Sequence, residues 1–228
     1  MATGLQVALD RISVSRAVDL TREVAEHVDW IEVGTSLIKA HGMPAVAAVV
    51  AAAGTTPVLA DTKTADDAVT EVEMCHAAGA RAMSVLALAP DETLRACAAR
   101  AHELGMEVLV DLLATGAERF DGLLAEFSGS AHLVWASHIG KDQQRQGAVD
   151  HALDRLTERA TGHRLALAGG LGREDVAALA GSHLNLRVIV GSAITKAPDP
   201  AATAAEFRRL LTAEPPAAPS LREATDDD

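Results

Sequence analysis

A chain of 228 residues, 49% hydrophobic and 23% charged, can bury a large core and has the size of one α/β barrel domain. A net charge of −12 argues against a polyanion or an anionic membrane as partner while permitting local capture of a small phosphate, and 2% aromatics with no Tyr removes a stacking platform for bases. Two cysteines without C-x-x-C spacing, no basic N-terminal region and no apolar run approaching about 18 residues point to a soluble, cytoplasmic protein without disulfide framework, thiolate zinc site, signal peptide or membrane span.

The first predicted strand is 5–10 (LQVALD), where Leu5, Val7 and Leu9 alternate with Gln6, Ala8 and Asp10. A helix follows from about Ser13, with Ser13 or Ser15 as N-cap. Strand two, 29–34 (DWIEVG), puts Glu32 opposite Ile31 and Val33, and an Ala/Val-rich helix over 43–53 stops at Gly54. Strand three runs from Pro57 and ends in D-x-K-x-x-D: Asp61 and Lys63 two apart on one face, Asp66 just beyond. Its helix is predicted from about Thr64 to Ala78, ending at Gly79. Strand four (82–87), a helix from Pro90 to Leu104, strand five (107–113, with Asp111 near its end) and strand six (132–138, ending in His138) follow. Strands seven (164–170) and eight (186–192) end in Gly169-Gly170 and Gly191-Ser192, and a last helix covers about 200–211.

Eight strand–helix alternations with short connections predict a compact, single-domain (β/α)8 TIM barrel over 1–212, with an open doubly wound sheet as the competing architecture. Residues 213–228, Pro/Ala-rich and acidic, read as a disordered tail. In a barrel the C-terminal strand ends share one mouth, which gathers Asp10, Glu32, Asp61, Lys63, Asp111 and His138. Taken singly, Asp10 and Asp111 read first as capping or solubilising groups. Glu32 and Asp61 on neighbouring strands suit a hard cation such as Mg²⁺ with water and substrate oxygens, or else simply pair with Lys63. Without H-x-H or H-E-x-x-H, and with His41, His76, His102, His151 and His163 on helices or loops, zinc is disfavoured. Carboxylates flanking Lys63 should hold it charged, favouring an electrostatic or proton-transfer role over a Schiff base. The glycine-rich ends of strands seven and eight offer backbone N–H groups for a phosphate, although glycine there equally serves a tight turn.

Taken together, LQVALD, IEVGTSLI, VLADTKTAD, VLVDLL, SHIGKDQQRQG, LAGGL and VIVGSAIT, in that order, resemble the 3-hexulose-6-phosphate synthase and 3-keto-L-gulonate-6-phosphate decarboxylase group of the orotidine monophosphate decarboxylase superfamily. The resemblance implies a homodimeric barrel with its site at the subunit interface, where Asp66 reaches the neighbouring site. It implies Mg²⁺ held by Glu32 and Asp61, an enediolate formed from a ketose phosphate with Asp61, Lys63, Asp66 and His138 as catalytic residues, and phosphate held at Gly170, Gly191 and Ser192. Asp10 and Lys141 complete the expected substrate contacts. His138-Ile139-Gly140-Lys141-Asp142 is closer to the synthase pattern, in which formaldehyde condenses with ribulose 5-phosphate, an aldehyde-lyase reaction. A cation at Lys141, where decarboxylases of the group place arginine, keeps a carboxy-lyase open. Asp67 and Ala87 depart from the group's pattern and bear on pocket shape. A barrel that binds sugar phosphate without turnover is the third reading.

Overall fold

Each of the eight apolar runs forms a strand, and the strands pair in parallel and in sequence order until the eighth closes on the first. The computed structural model describes residues 3–139, 156–179 and 185–212. Its strands are β1 (Gly4–Leu9), β2 (Trp30–Val33), β3 (Val58–Thr64), β4 (Ala82–Leu86), β5 (Glu107–Asp111), β6 (Leu133–His138), β7 (Leu165–Ala168) and β8 (Leu186–Val190). Around them lie α1 (Val14–Val24), α2 (Thr35–His41), α3 (Met43–Ala52), α4 (Ala68–Ala77), α5 (Asp91–Glu103), α6 (Ala117–Glu126), α7 (Arg173–Ala178), α8 (Ser192–Thr195) and α9 (Pro200–Thr212). Closure makes this a TIM barrel and rules out the open sheet.

Strand alternation sorts side chains into two cores. Leu5, Val7, Leu9, Ile31, Val33, Val108, Val110, Trp135, Val188 and Val190 face outward against the helices, in the larger core. Ala8, Leu59, Ala82, Leu109, Val134, Ala136, Ala166 and Ile189 fill the barrel interior. Half of that inner layer is alanine, and the mouth above it is left to the polar side chains of the same parity. Close helix contact also depends on small residues: Gly79 has φ 87°, and a Cβ there would stand 2.9 Å from Val50 Cγ1.

Ser13 is the N-cap of α1, accepting the Arg16 N–H at 3.2 Å. Helices α2 and α8 are additional to the sequence prediction, and several strands end one or two residues early, where the backbone turns into loops at the mouth. The largest correction concerns α4, which starts at Ala68 and not at Thr64. Lys63 and Asp67 are left-handed (φ 50° and 49°), and the β3–β4 register shifts between Ala60 and Thr64. A left-handed residue cannot continue a helix, so the chain bulges before α4 begins. Cys75 and Cys97 are free thiols buried in α4 and α5. No single helix among the described residues is long and apolar enough to cross a membrane. The tail 213–228 and His151 lie outside the described residues.

Candidate active site

At the mouth, the Lys63 ammonium sits 2.6 Å from Asp111 Oδ2 and 3.1 Å from Asp61 Oδ1. Asp111 is 1% exposed. Its Oδ2 also meets His138 Nδ1 at 3.0 Å, while Oδ1 accepts the Leu113 N–H at 2.9 Å. His138 Nδ1 lies 3.5 Å from Lys63 Nζ. The bulge in β3 aims Lys63: its N–H donates to Ser84 Oγ at 2.9 Å, and that hydroxyl donates to Asp61 Oδ1 at 2.7 Å. Thr35 donates to the other oxygen of Asp61 at 2.5 Å. Ser84 thus fixes both the lysine backbone and its counter-ion.

The charge states follow from this packing. Burial opposes the lysine charge, but Asp61 and Asp111 together outweigh it and hold the ammonium above its ordinary value. Burial likewise opposes ionisation of Asp111, yet the hydrogen bond from His138 and the Lys63 charge bring its pKa down to about 2. Lys63 is therefore a fixed cation at neutral pH, a poor Schiff-base nucleophile and a good partner for developing negative charge.

Glu32, 8% exposed, receives a 2.5 Å hydrogen bond from Gln6 Nε2 on its Oε2. Burial first, then the Asp61 charge, raises its pKa to about 8. Among the described residues no hydrogen-bond donor reaches Glu32 Oε1, and its salt bridge to Lys63 considered from sequence is absent. No cluster of three His, Cys, Asp or Glu suited to a metal occurs among the described residues. Two repelling, buried carboxyls with one orphaned oxygen fit a hard cation that keeps much of its water shell, as Mg²⁺ does, and do not fit zinc.

The other expected site residues divide. Asp10 is held at the mouth by Ser36, whose hydroxyl donates to it at 2.6 Å, and its carboxyl packs against Gly34 so closely that a Cβ there would stand 2.3 Å away. Gly170 (φ 74°) follows β7, and Gly191 and Ser192 follow β8, all at the same mouth. The adjacent Gly169 (φ 114°) must lack a side chain, since a Cβ would meet Ile139 O at 2.4 Å. Asp66 is not brought to this cluster: it is exposed beyond the bulge and accepts the N–H of Asp67 at 2.9 Å. Lys141 lies outside the described residues. Of the two departures, Ala87 belongs to the outer, helix-facing core, and Asp67 forms the left-handed turn into α4.

Four side chains carry more at this site than their places in the sequence suggested. Asp111 had the right strand-end parity but was set aside as a capping group; its pairing with both Lys63 and His138 makes it the hub. Ser84, Thr35 and Gln6 carry no charge, and only the register of β1 to β4 brings them beside Asp61 and Glu32.

The fold and this mouth define an enzyme-type barrel of one family. The pattern of the orotidine 5'-phosphate decarboxylase / HUMPS family matches residues 3–207, and the chain belongs to that family. Within it, the chain is similar to the 3-hexulose-6-phosphate synthase of Mycobacterium gastri, 37% identical over 91% of this chain and 99% of that one. Among solved structures, the 3-hexulose-6-phosphate synthase of Salmonella typhimurium is 33% identical with a TM-score of 0.83, covering 92% of this chain and 98% of its own. The 3-keto-L-gulonate-6-phosphate decarboxylase of Vibrio cholerae is 27% identical with a TM-score of 0.79, covering 92% and 98%.

Proposed function

We propose that the protein is a carbon–carbon lyase of the aldehyde-lyase type, catalysing the 3-hexulose-6-phosphate synthase reaction, in which formaldehyde condenses with ribulose 5-phosphate. The observation that carries this reading is the Lys63 ammonium locked between Asp61 and Asp111, with His138 on the same Asp111 oxygen. The synthases among its relatives, alike over nine-tenths of the chain, support the choice of reaction.

With Asp111 accepting from His138 Nδ1, the imidazole carries its proton on Nδ1 and leaves Nε2 able to take one. His138 then removes a proton from C1 of the ketose phosphate, giving an enediolate whose charge Lys63 stabilises without reorganising. The nucleophilic C1 bonds to the formaldehyde carbon, and the formaldehyde oxygen takes up the proton from His138. Atoms and charge balance with no redox partner. Glu32 and Asp61 would hold Mg²⁺, which supplies Lewis-acid charge for the ketose oxygens when bound. Asp10 positions substrate hydroxyls, and backbone N–H groups around Gly170, Gly191 and Ser192 take the phosphate. The protein acts as a cytoplasmic homodimer, in which Asp66, turned away from its own mouth, serves the partner's site.

A 3-keto-L-gulonate-6-phosphate decarboxylase reading keeps one point in its favour, the cation Lys141 three residues after His138 in the sequence. Lysine lacks the planar two-pronged grip of arginine, and an apolar Ile139 followed by a small Gly140 in the sequence suits a small, uncharged co-substrate such as formaldehyde. Replacing Lys63 by Ala tests the role assigned to the cluster: turnover is lost while the far-UV spectrum and a cooperative melt persist. A folded Lys63→Ala enzyme with wild-type turnover would refute it.

A further inference from the structure

At the opposite end of the barrel, the starts of β1, β2, β7 and β8 and the last turn of α9 surround a cleft of about 240 Å³. Three guanidinium groups line it, from Arg164, Arg187 and Arg208, together with Trp30, Asp29 and Asn185. Arg187 is 7% exposed, and its guanidinium carbon lies 4.1 Å from the centroid of the Trp30 ring. Its Nη2 donates to Glu107 Oε2 at 2.6 Å and its Nη1 to Gln6 Oε1 at 3.4 Å. Arg164 takes the other oxygen of the same carboxylate, at 2.6 Å. Arg208 pairs with Asp29 Oδ1 at 2.9 Å, while Asp29 Oδ2 accepts the Leu5 N–H at 2.9 Å.

Three cations thus share two carboxylates within salt-bridge distance, with Glu32 acting on Arg187 only from behind Gln6, so the wall of the cleft carries an excess of positive charge in a chain of net charge −12. The shortfall extends to hydrogen bonds. Arg187 offers five N–H donors, and among the described residues two protein acceptors meet them, one of them at the long distance of 3.4 Å. Holding a guanidinium away from water with donors unmatched is costly, and burial indeed lowers the Arg187 pKa from its usual value. Oxyanions are what a planar, weakly hydrated guanidinium recognises best, and the indole face beneath it keeps the group from swinging out.

We propose that this cleft, remote from the catalytic mouth, is a second binding site that takes a phosphate group, as the free ion or on a small ester, between Arg164, Arg187 and Arg208. The protein carries its own reporter, since its two tryptophans are Trp30 in the cleft and Trp135 buried in the outer core. The test titrates inorganic phosphate, and separately glycerol 3-phosphate, into the full chain at constant ionic strength while following both indole N–H signals by ¹H–¹⁵N NMR. Saturable movement of the Trp30 signal in the millimolar range or below, with Trp135 still, is the expected result. Arg208→Gln and Asn185→Asp, both at the rim, should each weaken it about tenfold, while Lys63→Ala at the other end leaves it unchanged. Saturation by both ligands assigns an ester site, and by inorganic phosphate alone a site for the free ion. A Trp30 signal that does not saturate, that moves equally with chloride, or that saturates as in wild type in either rim variant would overturn the proposal.

Discussion

Replacing Asp111 by Asn keeps the shape of the hub and removes its charge, which separates electrostatics from packing. The carboxylate pKa falls from 3.8 to about 2 in the folded chain, and at ~1.4 kcal/mol per unit that is about 2 kcal/mol of stability at neutral pH. The sign follows from the direction: a depressed carboxyl value stabilises the fold above the unfolded value, and this contribution is lost as pH falls from 3.8 through about 2. Losing one of two counter-ions, with Asp61 still 3.1 Å from Lys63, should cost less than the ~3–5 kcal/mol of stripping a buried ion bare. Urea denaturation at pH 7 should therefore show Asp111→Asn less stable by about 2 kcal/mol. Turnover should fall on the order of a hundredfold with KM little changed, because the imidazole loses the anion that orients it and stabilises its protonated form. A loss below about 0.5 kcal/mol together with unaltered kcat would show that Asp111 only caps the end of β5, and would refute the hub.

Glu32 gives a pH prediction of the opposite sign. With its value raised from 4.5 to about 8, the folded metal-free protein retains a proton the unfolded chain has released, so stability falls between those values, by ~1.4 kcal/mol per pH unit. Glu32→Gln in metal-free protein should abolish that slope in a urea series from pH 5.5 to about 7.5, and a slope identical to wild type would contradict the assignment. Chelation should remove turnover and Mg²⁺ restore it, with Glu32→Gln needing more Mg²⁺; turnover surviving thorough chelation would eliminate the cation from the proposal. Gly34→Ala pushes a methyl group into the Asp10 carboxyl, 2.3 Å away, and should raise KM for the sugar phosphate about tenfold with a loss of ~1–3 kcal/mol; an unchanged KM would remove Asp10 from substrate binding.

The barrel was legible in the sequence because alternation of residues such as Leu5, Val7 and Leu9 with Gln6 and Ala8 fixes which face meets the helices, and strand-end parity then places Glu32, Asp61, Asp111 and His138 at one mouth. Periodicity could not reveal the left-handed Lys63, since a single positive φ leaves no trace in a hydrophobic pattern; hence α4 was expected four residues too early. The same bulge explains why Asp66, close to Lys63 in sequence, lies away from its cluster. Asp111 was visible but undervalued, because its weight comes from a partner 48 residues away in sequence. The Arg187–Gln6–Glu32 chain through the barrel was invisible, since it depends on the closure of β8 against β1.

Addition of formaldehyde to a ketose phosphate is the reaction proposed for the Lys63 cluster. It is tested most directly by following ribulose 5-phosphate with purified protein and Mg²⁺, with and without formaldehyde, beside a parallel incubation with 3-keto-L-gulonate 6-phosphate. Loss of the pentulose phosphate that depends on formaldehyde is the expected result. Release of CO₂ from the keto acid phosphate, with ribulose 5-phosphate untouched by formaldehyde, would contradict it.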